Sequence, residues 1–317
     1  MAKEQFKTMI GGQALIEGIM MRGPKLDAVV VRTKEGLQTE ITTRKQRKKG
    51  SFATWPLIRG VVNFFDAQVC GVKALMRSAD LSIEEEKEEK KESSDKLPKA
   101  AVGLAVALGI GMSVVLFFLL PMLIAGLLDN VIQNTLLLNL VEGLVRITIF
   151  VIYMLLVSQM KDMKRVFAYH GAEHKTIRCY EAKLPLTTEN VRAQTRLHPR
   201  CGTSFLLVVM VLSILLFSVA TSLLLAVFPG LALMRGSFLY RLILIVCKLM
   251  LLPLVVSVAY EINRWAGRHD NLFTRILTAP GMWFQHFTTN EPDDNMIEVG
   301  IASLQAVIPE EEGTDLW

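Results

Sequence analysis

The chain has 317 residues, of which 51% are hydrophobic and 21% are charged, and its formal net charge is +5. The sequence contains neither a recognition-helix pattern nor an aromatic RNA-binding pattern, so the positive charge indicates anchoring at a membrane face and excludes nucleic acid as a partner. The four cysteines have no C-x-x-C spacing, which argues against a disulfide framework.

The N-terminal part of the chain combines three patterns. The stretch "GGQALIEGIMMRGP" (11–24) joins paired glycines with one acid, Glu17, and one base, Arg22. It could be a ligand-facing loop, although a structural turn is the default interpretation. Residues 27–42 have two β-type runs around a Lys-Glu-Gly turn and predict a β-hairpin. Residues 55–80 carry apolar side chains at helical spacing, which predicts an amphipathic helix on the membrane or against the cytoplasmic domain.

Two uncharged runs, 100–128 and 203–228, exceed the roughly 20 residues that cross a bilayer as a helix. Two further apolar runs, 136–159 and 238–260, contain charged residues, so we predict four transmembrane helices. The loop 160–202 and the region before the first span are rich in lysine and arginine, whereas the other two turns are poor in them. By the positive-inside rule, both termini and this loop lie in the cytoplasm.

The predicted fold class is an α-helical integral membrane protein with about four transmembrane helices and a cytoplasmic α+β portion. Its parts are an N-terminal segment 1–80, a charged flexible tether 81–99, a membrane domain 100–260 that includes the loop 160–202, and a cytoplasmic C-terminal segment 261–317. The expected location is the bacterial inner membrane, with membrane lipid as a partner and a homo-oligomer left open.

The loop 160–202 contains the motif His170-x-x-Glu173-His174, which is the H-x-x-E-H order of inverted zincins. Residues i and i+4 share a helical face, so both imidazoles could reach one cation. Glu173 could then act as a general base on a water molecule at that cation. The same residues also suit a polar helix at the membrane surface, whose histidines meet lipid headgroups or carboxylates. The motif alone does not decide between these two interpretations.

A second group, His198 and Cys201, stands immediately before the third predicted span. Imidazole and thiolate both bind zinc well, so these side chains could complete a site with His170 and His174. Three protein ligands with an open position would suit catalysis, and a closed set of four would suit a structural metal. The alternative is that Cys201 packs as a small apolar group at the helix entry. We therefore predict a site for a divalent metal, with zinc as the expected ion.

Four further side chains are weaker candidates. Glu291 and Asp293 could supply a carboxylate ligand, although a solvated turn is the default interpretation of their surroundings. Glu142 and Lys248 lie inside predicted spans, where ionisable groups are costly and usually pair or line a polar path. A contact between these two residues would keep a transport or channel function open.

Five motifs together resemble the bacterial YqhQ-type membrane-protein family: "GGQALIEGIMMRGP", "RGVVNFFDAQVCGVKALMRSAD", "YHGAEHKTI", "HPRCGTSFL" and "PGMWFQHFTTNEPDD". The resemblance covers nearly the whole chain apart from the tether and the extreme ends. This family is one of unknown function, provisionally described as metal-dependent enzymes. That description implies metal ligands at His170, His174, His198 and Cys201, which are the same residues that form the two motifs.

Three functions follow as hypotheses. The first is a metal-dependent membrane enzyme, for example a hydrolase, with Glu173 as general base. The second is a transporter or channel with a polar path through Glu142 and Lys248 and a metal-sensing gate. The third is a non-catalytic scaffold with a structural metal. The substrate cannot be derived from the sequence.

Overall fold

The computed structural model describes residues 6–44, 46–48, 50–90, 99–128, 131–269, 271–311 and 313–316, and for residues 83–90 and 99–102 it describes the backbone alone. Within these residues the chain is mostly helical, with one antiparallel sheet. The helices are α1 Ile58–Lys90, α2 Lys99–Val114, α3 Leu120–Gly126, α4 Thr135–Val157, α5 Lys161–Glu181, α6 Thr188–Arg192, α7 Gly202–Val227, α8 Phe238–Arg268, α9 Leu272–Thr288 and α10 Asp294–Gln305.

The sheet is a meander of four strands in chain order, β1 Gly11–Leu15, β2 Gly18–Arg22, β3 Leu26–Thr33 and β4 Gly36–Thr43. Strands β3 and β4 form the hairpin of residues 27–42, and Thr33 pairs with Gly36 across a two-residue turn. Gly36 has a φ of 125°, a conformation that glycine adopts without a steric penalty. Five of the eight residues of β3 are buried, whereas seven of the eight residues of β4 are exposed, so β3 lies inside the sheet and β4 at its edge.

The glycine-rich segment 11–24, for which a structural turn is the default interpretation and a ligand-facing loop the alternative, is a β-hairpin. It forms β1 and β2, which pair from Gly11–Arg22 to Leu15–Gly18. Only Ile16 and Glu17 turn between the strands, and Glu17 adopts the left-handed conformation with a φ of 53°. The apolar residues of β2 are buried, so this strand lies in the core.

Four helical segments are long and apolar enough to cross a membrane: Gly103–Gly126, Thr135–Val157, Gly202–Val227 and Phe238–Arg268. They coincide with the four predicted spans. The first consists of α2 and α3, joined by a π-helical turn at Val115–Leu119. The predicted tether 81–99 differs in part, because α1 continues as a helix through it to Lys90. The rest of the tether, 91–98, lies outside the described residues.

The two ends of the chain form one unit with α5. Helix α5 packs against β1 on one side and α10 on the other, and α10 also contacts β2 and β3. Ile19, Val30, Tyr169 and Val299 are fully buried members of the cluster at the centre of this unit. Arg32 of β3 binds Glu298 of α10 at 2.5 Å. This packing fixes the position of α5, the helix that carries the H-x-x-E-H motif.

Candidate metal centre

Helix α5 places His170, Glu173 and His174 together. An acidic residue, Asp162, lies in its first turn and a basic residue, Arg178, in its last turn, as the helix dipole favours. The i, i+4 spacing brings the two imidazole rings to 4.3 Å between centroids. Both Glu173 and His174 are buried, so the polar face of this helix points into the protein and not toward solvent.

Cys201, from a different part of the chain, lies beside the two histidines. It is the residue immediately before α7, and its Sγ lies 3.2 Å from Nε2 of His170. One ligand atom from each of His170, His174 and Cys201 lies within 4.8 Å of the other two. These distances allow the three side chains to share one cation.

Backbone carbonyls orient both rings. Nδ1 of His170 lies 2.8 Å from the Thr288 carbonyl, and Nδ1 of His174 lies 2.6 Å from the Arg196 carbonyl. A carbonyl can only accept, so each Nδ1 is protonated, and Nε2 is the nitrogen of each ring that could bind a cation once it is unprotonated. Nε2 of His174 is buried and has no hydrogen-bond partner. Metal-ligating histidines typically show this arrangement, in which the second ring nitrogen donates to a carbonyl.

The electrostatics of the cluster favour a thiolate. Burial raises the pKa of Cys201, but the neighbouring His174 and His170 outweigh it and hold this pKa well below its usual value. Burial lowers the pKa of His170, yet the charge and hydrogen bond of Cys201 raise it to about 9. Without a metal, the two side chains therefore form an imidazolium–thiolate pair. A thiolate is the form of cysteine that binds metals.

Glu173 lies beside the cluster and is held by β1. Burial raises its pKa above the usual value, while His170, His174 and the backbone N–H of Gly12 lower it. Its Oε2 is buried and has no hydrogen-bond partner. A Cβ atom on Gly12 would lie only 2.9 Å from Cδ of Glu173, so a glycine at this position lets the strand approach the carboxylate.

His198 does not join the three ligand atoms. Its Nε2 lies 3.4 Å from Oε2 of Glu181, whose carboxylate also binds Arg200. The backbone of His198 exchanges two hydrogen bonds with the side chain of Gln285, at 2.7 and 2.8 Å. Burial lowers the pKa of His198 to about 4, against the raising effect of Glu181. This histidine is a neutral group that fixes the 196–201 segment.

A cavity of about 710 Å³ adjoins the cluster. Its wall includes His170, Glu173, His174 and Cys201, and it extends along β1. Three arginines, Arg22, Arg44 and Arg200, also line it. The cluster and Glu173 therefore face a space large enough for a small substrate or the end of a larger one.

Glu17 and Arg22 are held in ion pairs outside the three-ligand set. Glu17 binds Arg165 and accepts a hydrogen bond from Tyr169 at 3.1 Å. Arg22 binds Asp66 at 2.9 Å.

Glu291 binds the buried Lys175 at 2.6 Å. Asp293 caps α10, since its side chain accepts from the Met296 N–H at 2.9 Å. Glu291 and Asp293 therefore connect chain segments and are not among the three candidate ligands, His170, His174 and Cys201.

The two candidates in the membrane-length helices, Glu142 and Lys248, are in contact. Nζ of Lys248 in α8 lies 2.6 Å from the Glu142 carboxylate in α4, and Arg146 binds the same carboxylate at 2.7 Å. Arg146 also donates to the Phe117 carbonyl at 2.8 Å. All three ionisable side chains are buried and paired, so they form a closed cluster that ties α4 to α8.

Sequence reasoning missed the residues that orient the ligands. The carbonyl of Thr288 reaches His170 because Gly171 has no side chain, so the segment that follows α9 can lie against α5. A Cβ atom on residue 171 would be only 2.0 Å from the Asn290 oxygen. The glycine within "YHGAEH" is the one local signal for this approach. Nothing near Gln285 in the sequence indicates its contact with His198, which is 87 residues away.

Comparisons with known proteins agree on one family. Residues 55–310 match the family described as "Protein of unknown function (DUF1385)". The chain is 31% identical to "Uncharacterized protein YqhQ" of Bacillus subtilis (strain 168), over 97% of this chain and 95% of that protein. No solved structure matches. The resemblance to the YqhQ-type family is confirmed.

Proposed function

The chain belongs to the DUF1385 family, and we propose that it is a metal-dependent membrane enzyme, a hydrolase with its metal centre at the cytoplasmic boundary of the bilayer. One observation carries the proposal: three ligand atoms from His170, His174 and Cys201 lie within 4.8 Å of one another. The buried carboxylate of Glu173, with one oxygen unpaired, lies beside them.

The donor set fits zinc. Two imidazole nitrogens and a thiolate are among its preferred ligands, and Nε2 of His174 is a buried acceptor that otherwise has no partner. Three protein ligands leave a fourth position for water or substrate, which is the pattern of catalytic zinc sites. Zinc held there would supply Lewis-acid polarisation of a substrate carbonyl or phosphoryl oxygen.

Side chains and backbone groups of the protein would transfer the proton and orient the ligands. Glu173 would take a proton from the attacking water, and its raised pKa makes it a stronger base than an ordinary carboxylate. The Gly12 N–H would hold the carboxylate in place. The carbonyls of Thr288 and Arg196 would hold the two rings so that Nε2 faces the cation.

We place the four apolar helices across the bacterial inner membrane, with both termini, the sheet and α5 on the cytoplasmic side. The support is the lysine- and arginine-rich composition of the loop 160–202 and of the region before the first span. Cys201 stands at the start of a membrane-length helix, so the substrate would be a group close to the bilayer surface, such as a peptide or a lipid-linked compound.

The two rival hypotheses have weaker support. A structural metal in a scaffold would have a closed set of four ligands, but His198 is turned toward Glu181. A polar transport path would need ionisable groups that face an open route. Glu142, Arg146 and Lys248 are instead paired with one another, and these contacts hold α4 against α8. Proteoliposome flux that Lys248→Ala abolished would favour transport.

The substitution Glu173→Gln tests hydrolysis even while the substrate is unidentified. Purified protein is incubated with native membrane extract in ¹⁸O-labelled water, and products that gain ¹⁸O are identified by mass spectrometry. We expect labelled products with the wild type and a loss of about 10²–10⁴-fold with the variant, because a general base contributes that much. Metal content should be equal in both proteins, which controls for folding. Equal labelling in both would contradict a base role for Glu173.

A further inference from the structure

A second cavity, of about 460 Å³, lies at the cytoplasmic end of α8 and is lined by five arginines. They come from three places: Arg44 and Arg47 from the segment after β4, Arg59 from the start of α1, and Arg264 and Arg268 from the end of α8. No carboxylate is among the lining residues. Neither the metal centre nor the helix packing accounts for such a concentration of positive charge.

The charge of this cavity is only partly balanced. Arg59 forms a two-bond pair with Glu261, at 2.7 and 2.5 Å. Among the described residues, Arg44, Arg47 and Arg268 form no ion pair, although the Asp66 carboxylate, which pairs with Arg22, interacts with Arg44 and Arg47 from beyond ion-pair distance. Like charges at close range repel, so an anion bound between them would lower the free energy of the site.

Neutral hydrogen-bonding groups arrange part of the wall. Nη1 of Arg47 donates to the Asn63 side chain at 2.6 Å, and Asn63 donates to the Tyr260 hydroxyl at 2.8 Å. These contacts orient the Arg47 guanidinium without neutralising it. Arg44 donates to the Gly23 carbonyl at 3.3 Å, and this neutral acceptor also orients the guanidinium without neutralising it. The arginines are therefore positioned and still charged.

The surroundings place this cavity at a membrane surface. It lies where the apolar part of α8 ends, and Ala53 and Thr54 of its wall are flanked by Phe52 and Trp55. These two rings are 64% and 55% exposed and contact each other at 5.3 Å between centroids. Exposed tryptophan beside basic residues is typical of the headgroup region of a bilayer.

We propose that this cavity binds a phosphate group, carried by an anionic phospholipid headgroup or by a soluble phosphate compound. Guanidinium groups match phosphate oxygens in geometry and charge, and clustered arginines are the usual protein site for them. The segment that supplies Arg44 and Arg47 is basic in sequence, "RKQRKK" (44–49), and basic runs of this kind attract anions near a membrane. The proposal does not depend on metal chemistry, because none of the three proposed metal ligands lines this cavity, although Met9 and Arg44 line both cavities.

The test compares the full-length wild type with Arg268→Gln and with the double variant Arg47→Gln/Arg268→Gln. Native mass spectrometry in detergent measures the binding of dioctanoyl phosphatidylglycerol and, in a separate arm, of inorganic pyrophosphate. Dioctanoylglycerol, which lacks the phosphate, is the lipid control. Arg192→Gln is the matched charge control, since Arg192 pairs with Asp294 away from the cavity.

We expect the double variant to bind one or both phosphate ligands about tenfold more weakly than the wild type, with a smaller loss for Arg268→Gln. Arg192→Gln should bind as the wild type does. A loss confined to phosphatidylglycerol would identify a lipid headgroup as the ligand, and a loss confined to pyrophosphate would identify a soluble one. Equal binding by the wild type and the double variant, or no binding by either, would overturn the proposal. Unchanged metal content in the variants controls for folding and keeps this result separate from the hydrolase hypothesis.

Discussion

At the residue scale, the spacing of two histidines is the strongest signal for the proposed metal centre. Helical periodicity alone brings His170 and His174 to one face, so the sequence predicts their proximity. The roles of Cys201 and His198 could not be separated in this way, because both precede α7 within four residues of each other. Their side chains have different partners: His198 contacts Glu181, whereas Cys201 contacts His170.

The protonation of His170 predicts a pH dependence for metal binding. Its pKa of about 9 means that at neutral pH the ring carries a proton, which a metal must displace. As the pH rises through this pKa, the competing proton is lost and binding strengthens. We expect zinc affinity to rise roughly tenfold per pH unit between about pH 7 and 9 and then to level off. Titration of metal-free protein with zinc and a competing chelator at several pH values measures this slope, and a flat profile would contradict it.

At the scale of elements, periodicity identified the long apolar helices and the β3–β4 hairpin but missed the β1–β2 hairpin. In "GGQALIEGIMMRGP" the turn consists of Ile16 and Glu17, which are not typical turn residues. Glu17 tolerates its left-handed conformation within a set of contacts with Arg165 and Tyr169, both of which lie on α5. Tertiary contacts of this kind cannot be derived from local sequence.

Gly171 tests how α5 and the segment after α9 position the metal ligands. In Gly171→Ala the new Cβ would lie 2.0 Å from the Asn290 oxygen, so the segment carrying the Thr288 carbonyl must move. We expect a loss of about 1–3 kcal/mol of unfolding free energy. Zinc affinity should fall about 10–100-fold, because the hydrogen bond that orients His170 is disturbed.

Gly109→Ala is the matched control for this change. Gly109 lies in α2, where a Cβ would meet no atom within 4 Å. The control should be neutral or stabilising by up to about 1 kcal/mol, because alanine is the better helix former. Thermal unfolding in detergent and zinc titration measure both variants. Equal behaviour of the two would contradict the close approach of Asn290 to α5.

At the scale of the whole molecule, the two terminal segments could each be outlined from sequence, but their association could not. Strand β3 and helix α10 meet through Arg32 and Glu298, which are 266 residues apart. The long separation leaves no periodic or local signal. The packing of these ends around α5 explains why a motif between two membrane-length helices is buried within a folded unit.

The proposed topology predicts a labelling pattern. Glu35→Cys in the β3–β4 turn should react with a membrane-impermeant maleimide only after the cells are permeabilised. Gln133→Cys, between α3 and α4, should react in intact spheroplasts, because it lies at the opposite ends of the apolar helices. Both positions are exposed, so reactivity reports the side of the membrane. The unsubstituted chain gives the background from its own cysteines, and the reverse pattern would contradict the orientation.

The metal content of the purified protein decides whether His170, His174 and Cys201 hold a metal ion. Wild type and His170→Ala/His174→Ala are purified without chelators and measured by inductively coupled plasma mass spectrometry, with thermal unfolding as the control for folding. We expect about one zinc ion per wild-type chain and almost none in the folded variant, because two of the three ligands are lost. Absence of metal from both proteins, or the same content in both, would contradict it.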